Sequence, residues 1–315
     1  MRRQSVVSLL GILIILLAAL FARYSATSQA GLKIVYVVIC VDSEMWGGHD
    51  PYLGNTTANP TMDMRAYAQS PPSTVSVVFN DSFRNSHTDS FGNAFKLTWF
   101  AEMDYLMAQS NFVYGDGSPA NVSGYTAIYD ILMNNWGADI QKYGDSLEYH
   151  HHFMIYDGTW QPYSSGPDSG YPGYQMYAID HMLIDDGFYP SVFRSGWDIM
   201  PPALSNWLEQ WIPFDYTPLD GTWRPWQPSG MDRWQTRCQY AIHFEDIDEA
   251  FATARDHGAA VYAYQCHDRD NMTYLFNLLQ KGLVEADSNE TAYPNVSFQY
   301  CTAKEAMQRI LGSMT

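Results

Sequence analysis

Three groups of side chains in this sequence could bind a metal ion or move a proton. They are the acid pair Asp42 and Glu44, the histidine run 150–152, and the single late histidine His267. Carboxylates and neutral imidazoles are common ligands of zinc and similar divalent ions, and histidine also serves as a general acid. Together the three groups predict a metal-assisted hydrolase.

The acid pair and the histidine run each follow a short apolar stretch that is typical of a buried strand. Successive side chains of a strand alternate between its faces, so Asp42 and Glu44 point the same way, as do His150 and His152. One carboxylate could then hold a cation while the other accepts a proton from water. The simpler alternatives are that the acids cap the next segment and that the histidines form a surface tract without a ligand.

His267 and the segment 193–198 follow two further predicted strands. A histidine at a strand end could protonate a leaving group over the mouth of a barrel. Arg194 could orient a carboxylate through a bidentate contact, and Trp197 and Asp198 are candidates to line a substrate pocket. The alternative for this segment is an ordinary ion pair beside a core tryptophan.

Strands and helical segments alternate along the body of the chain. The apolar patterns predict strands at 32–41, 96–103, 147–154, 191–194, 259–266 and 296–301, and helices at 123–142, 174–184, 201–211, 246–257, 271–283 and 304–311. This alternation predicts an α/β barrel or an open doubly wound sheet, in which the carboxyl ends of the strands share one face. The three groups could therefore converge in space although they lie far apart in sequence.

The size and charge of the chain bound its organisation and its partners. A chain of 315 residues with 46% hydrophobic content fits one large domain, which we place at 31–315. The net charge is −17, from 34 acidic and 17 basic residues. Nucleic acid and anionic membrane surfaces are therefore not expected as partners.

Residues 1–30 have the layout of a secretory signal peptide or a retained membrane anchor. Arg2 and Arg3 precede an apolar stretch at 6–22, and small and polar residues follow it. We expect an extracellular or cell-surface protein that meets the membrane only through this segment if it is uncleaved. Six glycosylation sequons fit export, at Asn55, Asn80, Asn121, Asn271, Asn289 and Asn295.

Five short motifs resemble, in the same order, those of the NodB-like polysaccharide deacetylases, carbohydrate esterase family 4. They are VVICVDSE at 37–44, LTWF at 97–100, GDSLEYHHH at 144–152, FRSGWD at 193–198 and AYQCHD at 263–268. The resemblance spans nearly the whole body of the chain. It implies a distorted (β/α)7 barrel that removes an acyl group, typically acetyl, from an amino sugar of a polysaccharide with the help of a divalent metal, expected to be zinc.

The resemblance also implies roles for individual residues. Asp42 would be the general base, His150 and His152 metal ligands, Arg194 the residue that orients Asp42, and His267 the acid. The family's usual consecutive Asp-Asp is here Asp42-Ser43-Glu44. The carboxylate ligand would therefore be Glu44, or Asp42 itself with Glu44 as the base.

Two other classes of function stay open at the level of sequence. A catalytically silent barrel could bind carbohydrate after losing the ordinary acid pair. A glycoside hydrolase would place two carboxylates across the mouth of the barrel, but that chemistry does not need the histidine run. The aromatic loops 160–174 and 223–234 could stack on sugar rings in any of these readings, or could pack onto their own barrel.

Overall fold

The longest apolar run in the body of the chain forms the central strand, β1 (Lys33–Ser43). Its residues from Val37 to Ser43 are all buried, as expected of a parallel strand that is covered on both faces. The computed structural model describes residues 31–44, 59–69, 73–152, 154–156, 160–162, 171–198, 200 and 206–312.

The other strands and the helices follow in alternation along the chain. The strands are β2 (Thr61–Asp63), β3 (Leu97–Glu102), β4 (Asn111–Val113), β5 (Ser146–His151), β6 (Met154–Tyr156), β7 (Trp160–Pro162), β8 (Val192–Ser195), β9 (Phe214–Asp215), β10 (Trp234–Gln235), β11 (Cys238–Gln239), β12 (Ala259–His267) and β13 (Val296–Cys301). The helices are α1 (Asp81–Ser86), α2 (Tyr105–Gln109), α3 (Ala127–Tyr143), α4 (Tyr171–Ile184), α5 (Phe244–His257), α6 (Met272–Asp287) and α7 (Ala303–Gly312). Short 3-10 helices span Arg65–Tyr67, Val75–Phe79 and Gly196–Asp198.

One parallel sheet curls into a barrel. Its strand order is β10–β9–β8–β5–β3–β1–β12–β11, and β13 pairs with the amino-terminal half of β1. The two edge strands β10 and β11 belong to a single stretch, residues 234–239, which pairs with β9 on one side and with β12 on the other. This stretch therefore completes the circle begun by β12, β1, β3, β5, β8 and β9. The architecture is the predicted distorted (β/α)7 barrel.

Two hydrophobic clusters cover the two faces of the sheet. The inner cluster fills the lower part of the barrel with side chains such as Cys40, Phe100 and Tyr216, and α7 packs against it through Met307. The outer cluster packs the sheet against α3, α5 and α6. Because apolar side chains fill the lower interior, the polar side chains that follow them in β1, β3, β5 and β12 gather at the carboxyl end of the barrel.

A buried ion pair joins α1 to Asp145, the residue before β5. Arg84 donates to both carboxylate oxygens of Asp145 at 2.9 and 2.6 Å, and both side chains are fully buried. Asp145 also accepts hydrogen bonds from the backbone N–H of Leu97 and the indole N–H of Trp99. These contacts satisfy both charges and hold the polar segment before β3 against the barrel.

The predicted helices and strands are confirmed in their described parts, with two differences. The predicted strand 147–154 stops at His151, and the chain resumes as β6, which forms a hairpin with β7. The polar stretch 47–92 carries no periodic pattern, yet its described part forms β2, α1 and two 3-10 helices, with β2 paired to β4. Positions 201–205 of the predicted helix 201–211 lie outside the described residues; of the remaining positions, 206–208 are helical and 209–211 form a turn.

Of the two alternatives for the 223–234 loop, Trp223 takes the second and packs onto its own barrel, fully buried against Tyr262 with a ring-centroid distance of 5.0 Å. All four cysteines are buried free thiols. The five sequon asparagines that the structure describes are exposed, and Asn55 lies outside the described residues.

The amino-terminal segment 1–30 lies outside the described residues. In the part of the chain that the structure describes, none of the helices combines the length and the apolar character that crossing a membrane requires.

Candidate active site

The predicted site residues come together at the carboxyl end of the barrel. Asp42 and Glu44 follow from β1, His150 and His152 from β5, and His267 ends β12. In the sheet, Asp42 is the register partner of His267, which places the first and last of the predicted groups side by side. The convergence expected from parallel strand ends is present.

Three of these side chains present their ligand atoms to one point. The Glu44 Oε1 atom lies 2.8 Å from His152 Nε2 and 3.2 Å from His150 Nε2, and the two Nε2 atoms are 3.0 Å apart. All three residues are buried. Burial alone would raise the pKa of Glu44, but the neighbouring histidines hold it well below its usual value, so this carboxyl is ionised.

One hydrogen bond of His150 determines which of its two ring nitrogens carries the proton. Nδ1 lies 2.8 Å from the backbone carbonyl oxygen of Arg194, and because a carbonyl can only accept, Nδ1 carries the proton. In the neutral ring, Nε2 then points a lone pair at the acceptor Oε1 of Glu44. Two acceptors facing each other at 3.2 Å require a cation or an added proton between them.

The donor set fits a divalent metal. Ligand atoms bound at about 2.0–2.2 Å from one ion lie roughly 3 Å from each other, as the atoms of Glu44, His150 and His152 do. The hydrogen bond from Nδ1 of His150 to a backbone carbonyl is the outer contact that metal-bound histidines commonly make. Two imidazoles and one carboxylate on one side leave other coordination positions open, and they suit several first-row metals. The residues could therefore hold a divalent metal of unspecified identity.

Asp42 is held by a different partner. Its Oδ2 accepts from Nη1 of Arg194 at 2.7 Å, and Nη2 of the same guanidinium donates to Asp198 at 2.7 Å. Asp42 Oδ1 is buried and has no hydrogen-bond partner among the described residues. Asp42, Glu44 and His267 also form a group whose ligand atoms lie within 4.8 Å of one another. The shorter contacts of Glu44 to the two histidines favour Glu44 as the carboxylate ligand and Asp42 as the base.

His267 is positioned by the chain that follows it. Its backbone N–H donates to Asp270 at 2.8 Å, its Nδ1 lies 3.6 Å from the same carboxylate, and its Nε2 lies 3.7 Å from Glu44 Oε1. Burial lowers the pKa of His267, but the contact with Asp270 and the charge of Glu44 outweigh it, and the net pKa is raised. A raised pKa favours the protonated ring that a general acid needs.

Trp197 lies beside His152 on a strained turn. Trp197 and Asp198 have φ of 51° and 56°, a left-handed conformation that costs energy in residues with a side chain. The turn sets the Trp197 ring edge-on to His152 at a centroid distance of 4.7 Å and aims Asp198 at Arg194. Gly196 is required here, because a Cβ at this position would lie 2.5 Å from the His152 ring.

Comparison with solved structures identifies the type of barrel. The chain is similar to PuuE allantoinase, with 12% identity, coverage of 90% of this chain and 91% of that chain, and a TM-score of 0.52. The chain shares the barrel fold of that structure. It is also similar to a probable polysaccharide deacetylase from Pseudomonas aeruginosa PAO1, with 12% identity, coverage of 90% and 92%, and a TM-score of 0.49. No family model and no curated protein matches the sequence.

Buried acids that the sequence did not single out lie around the site of this barrel. Glu102 ends β3 beside Glu44 and His150, is fully buried, and has no hydrogen-bond partner for either oxygen among the described residues. Burial, together with the charges of Asp104 and Glu44, raises its pKa well above the usual value. Asp104 accepts from the backbone N–H of His152 at 3.4 Å. The sequence gives no signal for Glu102, because a single acidic residue at the end of a predicted strand is too common to indicate a site.

A second missed group holds the backbone of Glu44. Asp268 Oδ2 accepts from the Glu44 N–H at 2.9 Å and from the hydroxyl of Tyr67, which also lies 3.0 Å from the Glu44 carbonyl oxygen. Burial raises the pKa of Asp268 to about 7. Asp268 lies in the quoted AYQCHD motif and could have been noticed there. Tyr67 comes from the polar stretch before β3, where no sequence signal points to the site.

Two exposed aromatic rings flank the site. Trp197 is 38% exposed, and Tyr240, which the sequence reasoning missed, is 52% exposed. Tyr240 contacts His267 edge-on at a ring-centroid distance of 5.4 Å. Since His152 and His267 both approach the same Glu44 oxygen, the two aromatic rings border the site from two directions.

Proposed function

We propose that this chain is an exported, metal-dependent hydrolase that removes acyl groups, chiefly acetyl, from the amino sugars of a polysaccharide. The observation that carries the proposal is the triangle of Glu44, His150 and His152, whose ligand atoms lie 2.8–3.2 Å apart while Nδ1 of His150 is held by a backbone carbonyl. Zinc is the proposed metal, because it is commonly bound by this mixture of nitrogen and oxygen ligands. Export is supported by the apolar segment at 6–22 and by the exposed sequons.

The chain's own residues divide the chemistry of amide hydrolysis. A divalent ion held by Glu44 and the two histidines would supply Lewis acidity toward the amide carbonyl and would lower the pKa of a water molecule. Asp42 accepts the proton of the attacking water through the oxygen that Arg194 does not occupy. Arg194, itself held by Asp198, keeps that carboxylate turned toward the site.

His267 acts on the other side of the scissile bond. Its imidazolium donates a proton to the departing amine, which cannot leave as an anion. Asp270 supports the charged ring, and the raised pKa keeps a larger fraction of His267 protonated near neutral pH. A base on β1 and an acid on β12 therefore face the substrate from adjacent strands.

The exposed aromatic rings support a sugar rather than a small amide as the substrate. The apolar face of a pyranose packs well on Trp or Tyr, and Trp197 and Tyr240 border the site. The histidine triangle argues against a glycoside hydrolase, which needs only two carboxylates. A silent carbohydrate-binding barrel differs from the proposed enzyme in one measurable respect, which is the requirement for metal.

Acetate release tests the proposal. The full chain, expressed with its first 30 residues, is expected to release acetate from N-acetylated amino-sugar oligomers, and the activity is expected in the secreted or membrane fraction. A chelator should abolish release, and added Zn²⁺ should restore it, because the ion activates both water and carbonyl. Glycan binding that survives chelation without any turnover would instead support the silent barrel. Cleavage of the sugar chain itself would support the glycoside hydrolase.

Tyr240 provides a test of the sugar substrate. We expect Tyr240→Ala to raise KM for an acetylated oligomer about two- to tenfold, since loss of an aromatic contact costs about 0.5–1.5 kcal/mol. Because the ring does not take part in proton transfer, kcat should change little. Tyr240→Phe keeps the ring and should behave like the wild type, as should Tyr177→Ala, which removes an exposed tyrosine that contacts Tyr125. An unchanged KM in Tyr240→Ala would contradict the stacking role.

A further inference from the structure

The two carboxylate oxygens of Glu44 have different partners. Oε1 faces the histidines at 2.8, 3.2 and 3.7 Å, whereas Oε2 accepts from Nη1 of Arg269 at 2.8 Å. The Glu44 side chain is 3% exposed and that of Arg269 is 34% exposed, so the guanidinium reaches in from the rim of the site. Arg269 was not among the predicted site residues, although it follows the AYQCHD motif directly.

We propose that Arg269 is a positioning residue that fixes the rotation of the Glu44 carboxylate, so that a single oxygen faces the metal ion. This inference rests on the metal centre of the proposed function and adds a determinant of its geometry. The role is distinct from that of Arg194, whose guanidinium forms ion pairs with Asp42 and Asp198.

The need for such a residue follows from the length of glutamate. Its side chain has one more torsion than that of aspartate, and the last torsion is soft and roughly two-fold. Holding a flexible side chain in one rotamer costs conformational entropy, which a charge-assisted hydrogen bond offsets. Without the guanidinium, the Glu44 carboxylate could turn Oε2 toward the ion as well. Two oxygens on the ion would occupy a position that water or substrate needs.

The neighbours of Arg269 keep it in place for this task. Its backbone joins Asp268, which holds the Glu44 N–H, to Asp270, which holds His267. One turn, residues 268–270, therefore contacts both Glu44 and His267. Arg269 also lines an open cavity of about 320 Å³ together with Ser73 and Thr74. The side chain can therefore be replaced at this rim without disturbing the packed interior of the barrel.

Metal affinity, measured by competition with a chromogenic chelator, tests the inference independently of turnover. Arg269→Gln is expected to weaken Zn²⁺ binding about 10–100-fold, the usual effect of losing an outer contact to a metal ligand, and Arg269→Lys is expected to weaken it less. Arg237→Gln is the matched control, because Arg237 also forms ion pairs with carboxylates, but those belong to Asp246 and Glu249 on α5. Its affinity should equal that of the wild type, and thermal unfolding should verify that each variant is folded.

Combining Arg269→Gln with Glu44→Asp tests whether Arg269 acts by positioning the Glu44 carboxylate or only through its positive charge near the site. Aspartate is one methylene shorter, so its carboxylate would not span the ion and Arg269 together. We therefore expect Arg269→Gln to change Zn²⁺ affinity at least several-fold less in the Glu44→Asp background than in the wild type. Equal effects in both backgrounds, or an unchanged affinity in folded Arg269→Gln and Arg269→Lys, would overturn the inference. A wild-type chain that binds no metal at all would overturn the proposed function as well.

Discussion

Replacing either His150 or His152 by alanine is expected to abolish metal binding and acetate release together. Each ring supplies one of three ligand atoms that lie within 3.2 Å of one another. A site reduced to one imidazole and one carboxylate loses a nitrogen ligand, and water is a poor substitute for it. Metal content by elemental analysis should fall from about one ion per chain to near zero, and activity should fall to background.

His151 provides a control on the same strand. It lies between the two ligands, but alternation along β5 turns it to the outer face, where it is buried and stacked on Phe193 at 4.8 Å. His151→Ala is therefore expected to lower the unfolding temperature while the folded protein keeps its metal. Full metal content in His150→Ala or His152→Ala, or loss of metal in folded His151→Ala, would contradict the ligand assignment.

Replacing Asp42 by asparagine is expected to separate catalysis from metal binding. Asparagine keeps the shape of the side chain but cannot act as a base, so kcat should fall by about 10²–10⁴-fold. Metal content should stay at the wild-type level, because Asp42 is held by Arg194 rather than by the histidines. The fold should survive as well, since Arg194 keeps its ion pair with Asp198.

Glu44→Gln is the matched substitution for the other carboxylate. Removing the negative charge between the two imidazoles should lower metal affinity sharply, and activity should disappear with the metal. Asp42→Asn and Glu44→Gln together test which of the two carboxylates binds the metal and which acts as the base. Retention of metal in Glu44→Gln together with loss of metal in Asp42→Asn would reverse the roles of base and ligand.

The main groups of this site could be predicted from the sequence because the hydrophobicity pattern shows where each strand ends. An apolar run followed by polar side chains with a period of two located Asp42, Glu44, His150 and His152, and the parallel topology places such ends together. The same reasoning did not find Tyr67, Glu102 or Tyr240. Nothing periodic precedes Tyr67, and a single acid or tyrosine after a strand is too common to indicate a site.

Other features required tertiary contacts that no local pattern encodes. The burial of Trp223 depends on Tyr262, which lies on a strand that follows much later in the chain. The closure of the barrel depends on the short stretch 234–239, whose strands of two residues each are too brief to show alternation. Pairing with β9 and β12 keeps them in place, and each isolated strand would be too short to be stable.

By itself, the sequence determined the alternation of strands and helices and the residue types at the strand ends, since side-chain periodicity follows directly from backbone geometry. Only the tertiary structure decided how the carboxylates are used. The choice of Glu44 as the proposed ligand, of Asp42 as the proposed base and of Arg269 as the partner of Glu44 depends on distances of about 3 Å between distant segments. Such distances arise from the register and twist of the whole barrel, which no single segment specifies.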